Sequence, residues 1–572
     1  MSLLVNEVDN YTSFQVGKNG HIEYGWCNSI QEKIIQFNFQ LVRTSNENNL
    51  RRILNDMLSK LKYYVTNGSI SDRQVAKGYL SILYRMIGYT RDIINGKGEY
   101  KLTYMMIETW YNFYPELSKF AIKCLVDIGD NIHQYGSWKD MKYFCHYIEN
   151  KEHLLINYFV ELINKQIKKD HLNMILNSNN ISLAAKWAPR EKSAFGWLYE
   201  RLAINYFSDF MLTPNSKDKI DKAILKCKTK YRKIMTELNR YIDTVQIKQC
   251  QHQWSDINFD KVTSITFSKQ KKSFLNIKRN SETFYSIDID RIKCAENFTQ
   301  YIKKAAKYDI EIKGKRVSMA DFTAQAIDLL KSGSQIEREL LNLQWRDNSK
   351  QNDALRNMIA MVDVSSSMEG EPMNIAIALG IRIAEKSFLG KRVMTFGVKP
   401  TWVDLEPYPN FVSQVEAIKT AEWGMNTNFY AALDIILDAI IQNNMTPQDV
   451  QDLTLVILSD MLIDQNDQYN KQVLYDVMKT KYQEAGIRVH GKPYKPPHIL
   501  FWNLRSTTGF PTLSNQPNTS MLSGFSPVLL NLFCDKGFHA IQYSTPWTIL
   551  LKSLENERYK IMDYKLSQEI LV

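Results

Sequence analysis

The sequence predicts two fold classes joined end to end: an all-helical, basic first part and an α/β second part built on a doubly wound parallel sheet. Three observations carry this. Only three of the fifteen prolines (Pro115, Pro189 and Pro214) precede residue 350. Because proline breaks helix interiors, long helices belong before that point and strands and turns after it. Charge divides at the same place: residues 1–350 hold 53 of the 72 Lys and Arg and 38 of the 61 Asp and Glu, a balance of +15, and the remaining 19 against 23 leave −4. After residue 355, short apolar runs alternate with helix-length ones. A chain of 572 residues exceeds one ordinary core, and the expected division is an N-terminal extension over 1–30, a helical domain over 31–350 and an α/β domain over 355–572.

In the helical part, Ala76, Tyr79, Leu80, Leu83, Tyr84 and Ile87 recur at i, i+3, i+4, i+7 and predict an amphipathic helix. In "SKDKIDKAILKCKTKYRKIMTELNRYI", Ile220, Ile224, Cys227, Tyr231, Ile234 and Leu238 mark one face. Lys219, Lys222, Lys226, Lys230 and Lys233 line up on another. A solvated lysine face is the plain explanation of such a ridge. With the further runs at 269–279 and 303–316 the cations form a field of one sign, which suits nucleic-acid phosphates. No exact repeat period is present, so a solenoid here would be of a degenerate helical-pair type.

Two loops combine cations with glycine or aromatics. "TRDIINGKGEY" contains Arg91 and Lys97, and its Gly96-Lys97-Gly98 could bring amides and an ammonium to a phosphate; Walker A fails, because Gly98 stands where Ser or Thr is required. "SLAAKWAPREKSAFGW" sets Trp187 and Trp197 among Lys186, Arg190 and Lys192, a pattern that suits a clamp on unpaired bases and equally suits helix capping with buried tryptophans.

In the second part, "NMIAMVDVS", "RVMTFGV", "DLTLVILSD" and "PHILFWNL" read as strands, and "MNIAIALGIRIAEKSF", "NFYAALDIILDAII" and "NKQVLYDVMKTKYQEAG" as the helices between them. This alternation predicts a parallel sheet covered on both faces, with ligands at the carboxyl ends of its strands. Asp363, Ser365 and Ser367 fall at one such end, Asp460 at another, and Thr427 before a helix on the same rim. Spaced as Asp-x-Ser-x-Ser in an extended loop, the first three side chains point the same way, and the five together offer hard oxygens with two formal charges. That set suits Mg²⁺ or another divalent cation. Capping of the helix near Met373 is the structural alternative. A serine-hydrolase elbow would need GxSxG with a histidine in a triad setting, and neither is present. No general base beside the motif can be named from the sequence, and no catalysis is expected.

Seven scattered cysteines without a CxxC spacing argue for reduced thiols, and nine histidines form no zinc-ligand cluster. The start lacks the basic and apolar blocks of a secretory signal, and no apolar stretch approaches the roughly 20 residues of a membrane span. A cytoplasmic protein with no membrane partner is expected, or a virion component if the source is viral.

Asp363-x-Ser365-x-Ser367, Thr427 and Asp460 on β/α units resemble the metal-ion-dependent adhesion site of von Willebrand factor A domains. Joined to the helical half, they make the chain resemble the Ro autoantigen (TROVE) proteins. It is more similar still to an uncharacterised family of plants, fungi and large DNA viruses with that architecture. The stretches that carry the likeness run in order from "RDIINGKGE", "YGSWKDM", "SLAAKWAP" and "YRKIMTEL" to "VDVSSSMEGEPM", "WGMNTNF", "LSDM" and "FWNLR". The resemblance implies a HEAT-like α-solenoid bent into a ring or horseshoe and closed by the A domain. It also implies binding of small structured or misfolded RNA without catalysis. The alternative is a protein-binding scaffold, or a virion-associated protein, whose metal site grips an acidic partner. Met425-Asn426 replaces the Gly-Gly usual before the threonine of A domains.

Overall fold

Helix starts follow local chemistry along the chain. The structure, a computed structural model, describes residues 13–18, 20, 22–129, 132–278, 283–332, 334–355, 357–396, 399–420, 429–462, 474–534 and 544–570. A short hairpin, β1 (Phe14–Val16) and β2 (Ile22–Tyr24), precedes helices α1 (Ile30–Gln40), α2 (Glu47–Asn67), α3 (Ile70–Arg91), α4 (Tyr100–Tyr111), α5 (Pro115–Cys124), α6 (Trp138–Tyr147) and α7 (Leu154–Ile175). There follow α8 (Ala184–Trp187), α9 (Gly196–Tyr206), α10 (Lys217–Ile242), α11 (Val245–Cys250), α12 (Ser264–Phe274), α13 (Ile289–Ala306), α14 (Met319–Ser332) and α15 (Gln335–Ser349). Ser69 caps α3 by accepting from the Asp72 amide, and Ala76, Leu80, Leu83, Tyr84 and Ile87 are buried as their spacing predicts.

On α10 the buried line is Ala223, Cys227, Tyr231, Met235 and Leu238, and Ile220 is exposed. The inward face is thus rotated from the expected one. The buried Tyr231 hydroxyl donates to Asn164 Oδ1 of α7 (3.1 Å), which aims that line inward.

The second part contains β3 (Met358–Asp363), α16 (Glu371–Lys386), β4 (Arg392–Phe396), β5 (Thr401–Asp404), α17 (Phe411–Thr420), α18 (Phe429–Gln442), α19 (Pro447–Gln451), β6 (Thr454–Ser459), α20 (Leu474–His490), β7 (His498–Asn503), β8 (Thr519–Ser523), α21 (Pro546–Leu554) and α22 (Lys560–Ile570). The sheet order is β5-β4-β3-β6-β7-β8, parallel throughout except for β4 with β5. An all-parallel sheet is therefore corrected to a mixed one. Residues 397–400 are too few for a crossover, so β5 returns antiparallel. Strand β8 escaped the apolar pattern because Thr519, Ser520 and Ser523 are buried with their hydroxyls bonded to Gln516 O, His498 Nε2 and Asn38 O.

Packing ignores the compositional boundary near residue 350. Helix α16 is buried nearly all round, from Pro372 to Ala384, because α14 and α17 cover it. Arg382 of α16 is fully buried, donates to Asn348 O, Asn348 Oδ1 and Asn352 Oδ1, and lies 4.3 Å from the Trp345 ring centroid. At the other end of the helical part, α1 packs on β8, and Tyr24 and Phe510 exchange backbone hydrogen bonds of 3.0 and 2.9 Å. Helices α21 and α22 then return onto α3, where Arg558 grips Asp92 with two bonds of 2.7 and 2.8 Å. One apolar core runs through both parts, and a smaller second core joins α12, α13 and α15.

Two consequences are measurable. Asp92 is fully buried, so Arg558→Ala strands a charge, and unfolding free energy should fall by about 3–5 kcal/mol in chemical denaturation. His498 is wholly buried, and burial depresses its imidazole from 6.5 to about 3. Between those values the unfolded chain binds the extra proton, so stability is full above pH 6.5 and is lost as pH falls toward 3. His498→Gln should flatten that acid limb relative to wild type.

Candidate metal centre

Strands β4 and β6 flank β3 on opposite sides, so the sheet reverses its winding between β3 and β6. Doubly wound sheets open a ligand crevice at that point, at the carboxyl ends of the strands. Asp363 is the last residue of β3, and Asp460 directly follows β6. Both are fully buried, as Ser365 nearly is.

The Ser365 amide donates to Asp363 Oδ1 (2.9 Å), and the Ser459 hydroxyl donates to Oδ2 (2.6 Å). The Ser365 and Ser367 hydroxyls lie 3.0 Å apart, in a loop that enters a 3-10 turn at Ser366–Met368 instead of running extended as expected. Asp460 Oδ1 accepts from the Leu462 amide (3.1 Å), whereas its buried Oδ2 has no hydrogen-bond partner among the described residues. Burial, and then the Asp460 charge, push the Asp363 carboxyl from 3.8 up to about 7. Burial raises Asp460 too, opposed by the Leu462 amide, the Ser367 hydroxyl and the Arg505 guanidinium.

Backbone geometry holds this loop in place. Gly370 sits at φ +96°, ψ −136°, a region that side chains other than glycine's avoid, and it turns the loop into α16. Met461 lies at φ +61°, and its amide donates to Ser459 Oγ (3.0 Å). The Arg505 guanidinium donates to the Ser367 carbonyl. From the helical part, Arg43 reaches Glu371 at the first turn of α16 while holding Glu99 at 3.1 Å. Sequence reasoning missed Ser459, Arg505 and Arg43. Ser459 and Arg505 stand in the short stretches "LSDM" and "FWNLR", but nothing local marks Arg43.

The donor set fits a divalent cation. An orphaned buried carboxylate oxygen, a second buried carboxylate coupled to it and two hydroxyls are hard ligands of the kind Mg²⁺ takes. Asp363, Asp460, Ser365 and Ser367 would hold the ion. Bound there, it would supply a positive charge against the two carboxylates and an attachment point for a partner's oxygen. Thr427, the fifth expected ligand, lies outside the described residues. Among the described residues no three His, Cys, Asp or Glu gather as a metal set, so the site rests on two carboxylates and the serine hydroxyls.

The expected nucleic-acid contacts divide into three groups. Arg91 and Lys97 are corrected, because both are interior. Arg91 pairs with Asp140 at 2.7 and 2.9 Å. Lys97 donates to Asn38 O (2.7 Å) and Ser523 Oγ (2.6 Å), at the seam between α1 and β8. The Gly96 and Lys97 amides donate to Asp92 O and Tyr89 O and so are spent inside the turn. Lys219, Lys222, Lys226, Lys230 and Lys233 form an exposed ridge on α10. Lys186 and Arg190 line a cavity with Trp187. Trp197 stands apart from it, beside Lys151 and Arg201, so the two tryptophans do not form one clamp.

Residues 357–562 match a family model described as a domain of unknown function (DUF7788), and residues 149–351 match another (DUF2828). Over 506 residues, 85% of this chain and 80% of the relative, the sequence is 30% identical to uncharacterized protein L728 of Acanthamoeba polyphaga mimivirus. The chain belongs to the family of that mimivirus protein. The two matched regions meet in the few residues between α15 and β3, and the second holds Asp363, Ser365, Ser367 and Asp460. No described helix is long and apolar enough to cross a membrane.

If a cation binds this site, Mg²⁺ at about a hundredfold excess over its dissociation constant should raise unfolding free energy by about 2.7 kcal/mol. Asp363→Asn and Asp460→Asn should abolish that gain in a thermal-shift titration. Wild-type melting indifferent to Mg²⁺, Mn²⁺ and Ca²⁺ would rule the site out.

Proposed function

We propose that this chain is a non-enzymatic RNA-binding scaffold of the Ro (TROVE) kind. In this reading HEAT-like helices are closed into a ring by a von Willebrand factor A-type domain with Mg²⁺ or another divalent cation at its adhesion site. The α10 ridge is the observation that carries the reading. Lys219, Lys222, Lys226, Lys230 and Lys233 are exposed, and among the described residues none is ion-paired, whereas Lys228 between them is held by Glu191 and Glu200. A row of unneutralised ammonium groups on one helix is what a phosphate backbone matches, since each contact releases counterions. The contact of the helical part with the α/β part at both ends supports the ring.

A second reading, a protein-binding scaffold that could also serve in a virion, is supported by the buried carboxylate–serine site. There a bound cation would grip an acidic side chain. Asp363→Ala should then abolish capture of that partner and leave RNA affinity intact.

The test of the first reading is RNA affinity against salt. Log K should fall linearly with log salt, and replacing Lys222, Lys226, Lys230 and Lys233 with Gln should reduce that slope by about 3. Absence of any RNA affinity at low salt would remove the reading.

A further inference from the structure

Helices α6, α10 and α11 and the segment 184–195 line a half-open cavity of about 760 Å³. Rings and cations share its wall. The Lys142 ammonium lies 5.3 Å from the Trp187 ring centroid and 5.5 Å from that of Phe195, and Lys139, beside the cavity, lies 5.8 Å from Trp187. Lys186 and Arg190 complete the cationic side.

These charges lack compensation. Among the described residues, Lys139, Lys142, Lys186 and Arg190 make no ion pair, and Glu191 in the wall is already taken by Lys228 and Arg232, each at 3.2 Å. Lys142 is depressed first by burial and then by Lys139 and Arg190. Lys139 is depressed by burial and then by Lys269 of α12, with Asp140 partly opposing them. Crowded, part-buried cations cost free energy that an anion would return.

We propose that this cavity is a nucleotide pocket: Trp187 and Phe195 lie against the base, and Lys142, Lys186 and Arg190 hold its phosphate. The volume suits a ligand of that size, and aromatic faces with cations are how unpaired bases are held irrespective of sequence. The inference rests on the RNA reading above and assigns it a second locus, distinct from the α10 ridge. A nucleotide unit can come from an unpaired stretch of RNA or from a free nucleotide, and the experiment separates the two.

Fluorescent single-stranded oligo(U) and oligo(A), a blunt RNA duplex, AMP and ATP are titrated against the full chain, against Trp187→Leu and against the double variant Lys142→Gln with Arg190→Gln. Melting temperatures confirm that each variant folds; Arg190 is exposed, Lys142 is half-buried, and neither belongs to the apolar core. Both variants should lose about tenfold or more in single-strand affinity and keep their duplex affinity. Competition by AMP or ATP at micromolar concentration would assign the pocket to free nucleotides. Wild type that binds RNA alongside folded variants that bind single strands unchanged would overturn the pocket and leave the RNA reading standing. Nucleotide binding without any RNA binding would do the reverse, and binding of neither would end both.

Discussion

One apolar core shared by both parts of the chain is the constraint on which the rest depends. Helix α14 covers α16 on one side, α1 covers β8 on another, and α21 and α22 return to α3. The helical part is therefore held at both of its ends by the α/β part, and neither has a complete surface of its own. Buried polar groups are placed at these seams and satisfied across them: Arg382 on Asn348 and Asn352, Lys97 on Asn38 and Ser523, and Arg558 on Asp92. A buried charge left without its partner costs more than the pair contributes, so each such contact admits essentially one docking arrangement.

That arrangement places the crevice between β3 and β6 within reach of the helical part. Asp363 and Asp460 are buried together, which raises both carboxyls, and the loop between Asp363 and α16 ends at Glu371, which Arg43 holds from the helical side. One short loop and one guanidinium thus connect Asp363 with the turn after α1 and the residue before α4. The cationic features lie elsewhere, on α10 and around Trp187, so charge for a polyanion and hard oxygens for a cation are kept on separate elements.

Much of the fold was legible. Periodicity located α3, α10, α16 and the four strands β3, β4, β6 and β7, because a stripe at 3.6 or a short apolar run reports burial directly. Strand β8 was not, since its hydroxyls are buried against His498 and Asn38, distant partners that no local pattern reveals. Strand β5 was missed because a short hairpin interrupts an otherwise regular β/α alternation. In the site, Asp363, Ser365, Ser367 and Asp460 were named from spacing and strand ends. Ser459 was overlooked because it lies beside the acid it does not serve and donates across the sheet to Asp363.

By itself, then, the sequence determined the division into a basic helical part and an α/β part, the main elements of each and the acid and hydroxyl residues at the strand ends, since all of these follow from periodicity, composition and chain order. Only the tertiary structure decided which cations are free. Arg91 ends α3 and Lys97 lies in the loop after it, a stretch as rich in glycine and charge as any binding loop, yet Asp140 in one case and Asn38 and Ser523 in the other bury them. The lysines of α10 and those around Trp187 are left to solvent or to a ligand. Whether a cation is structural or available depends on what packs against it from far along the chain, and that is information no local stretch contains.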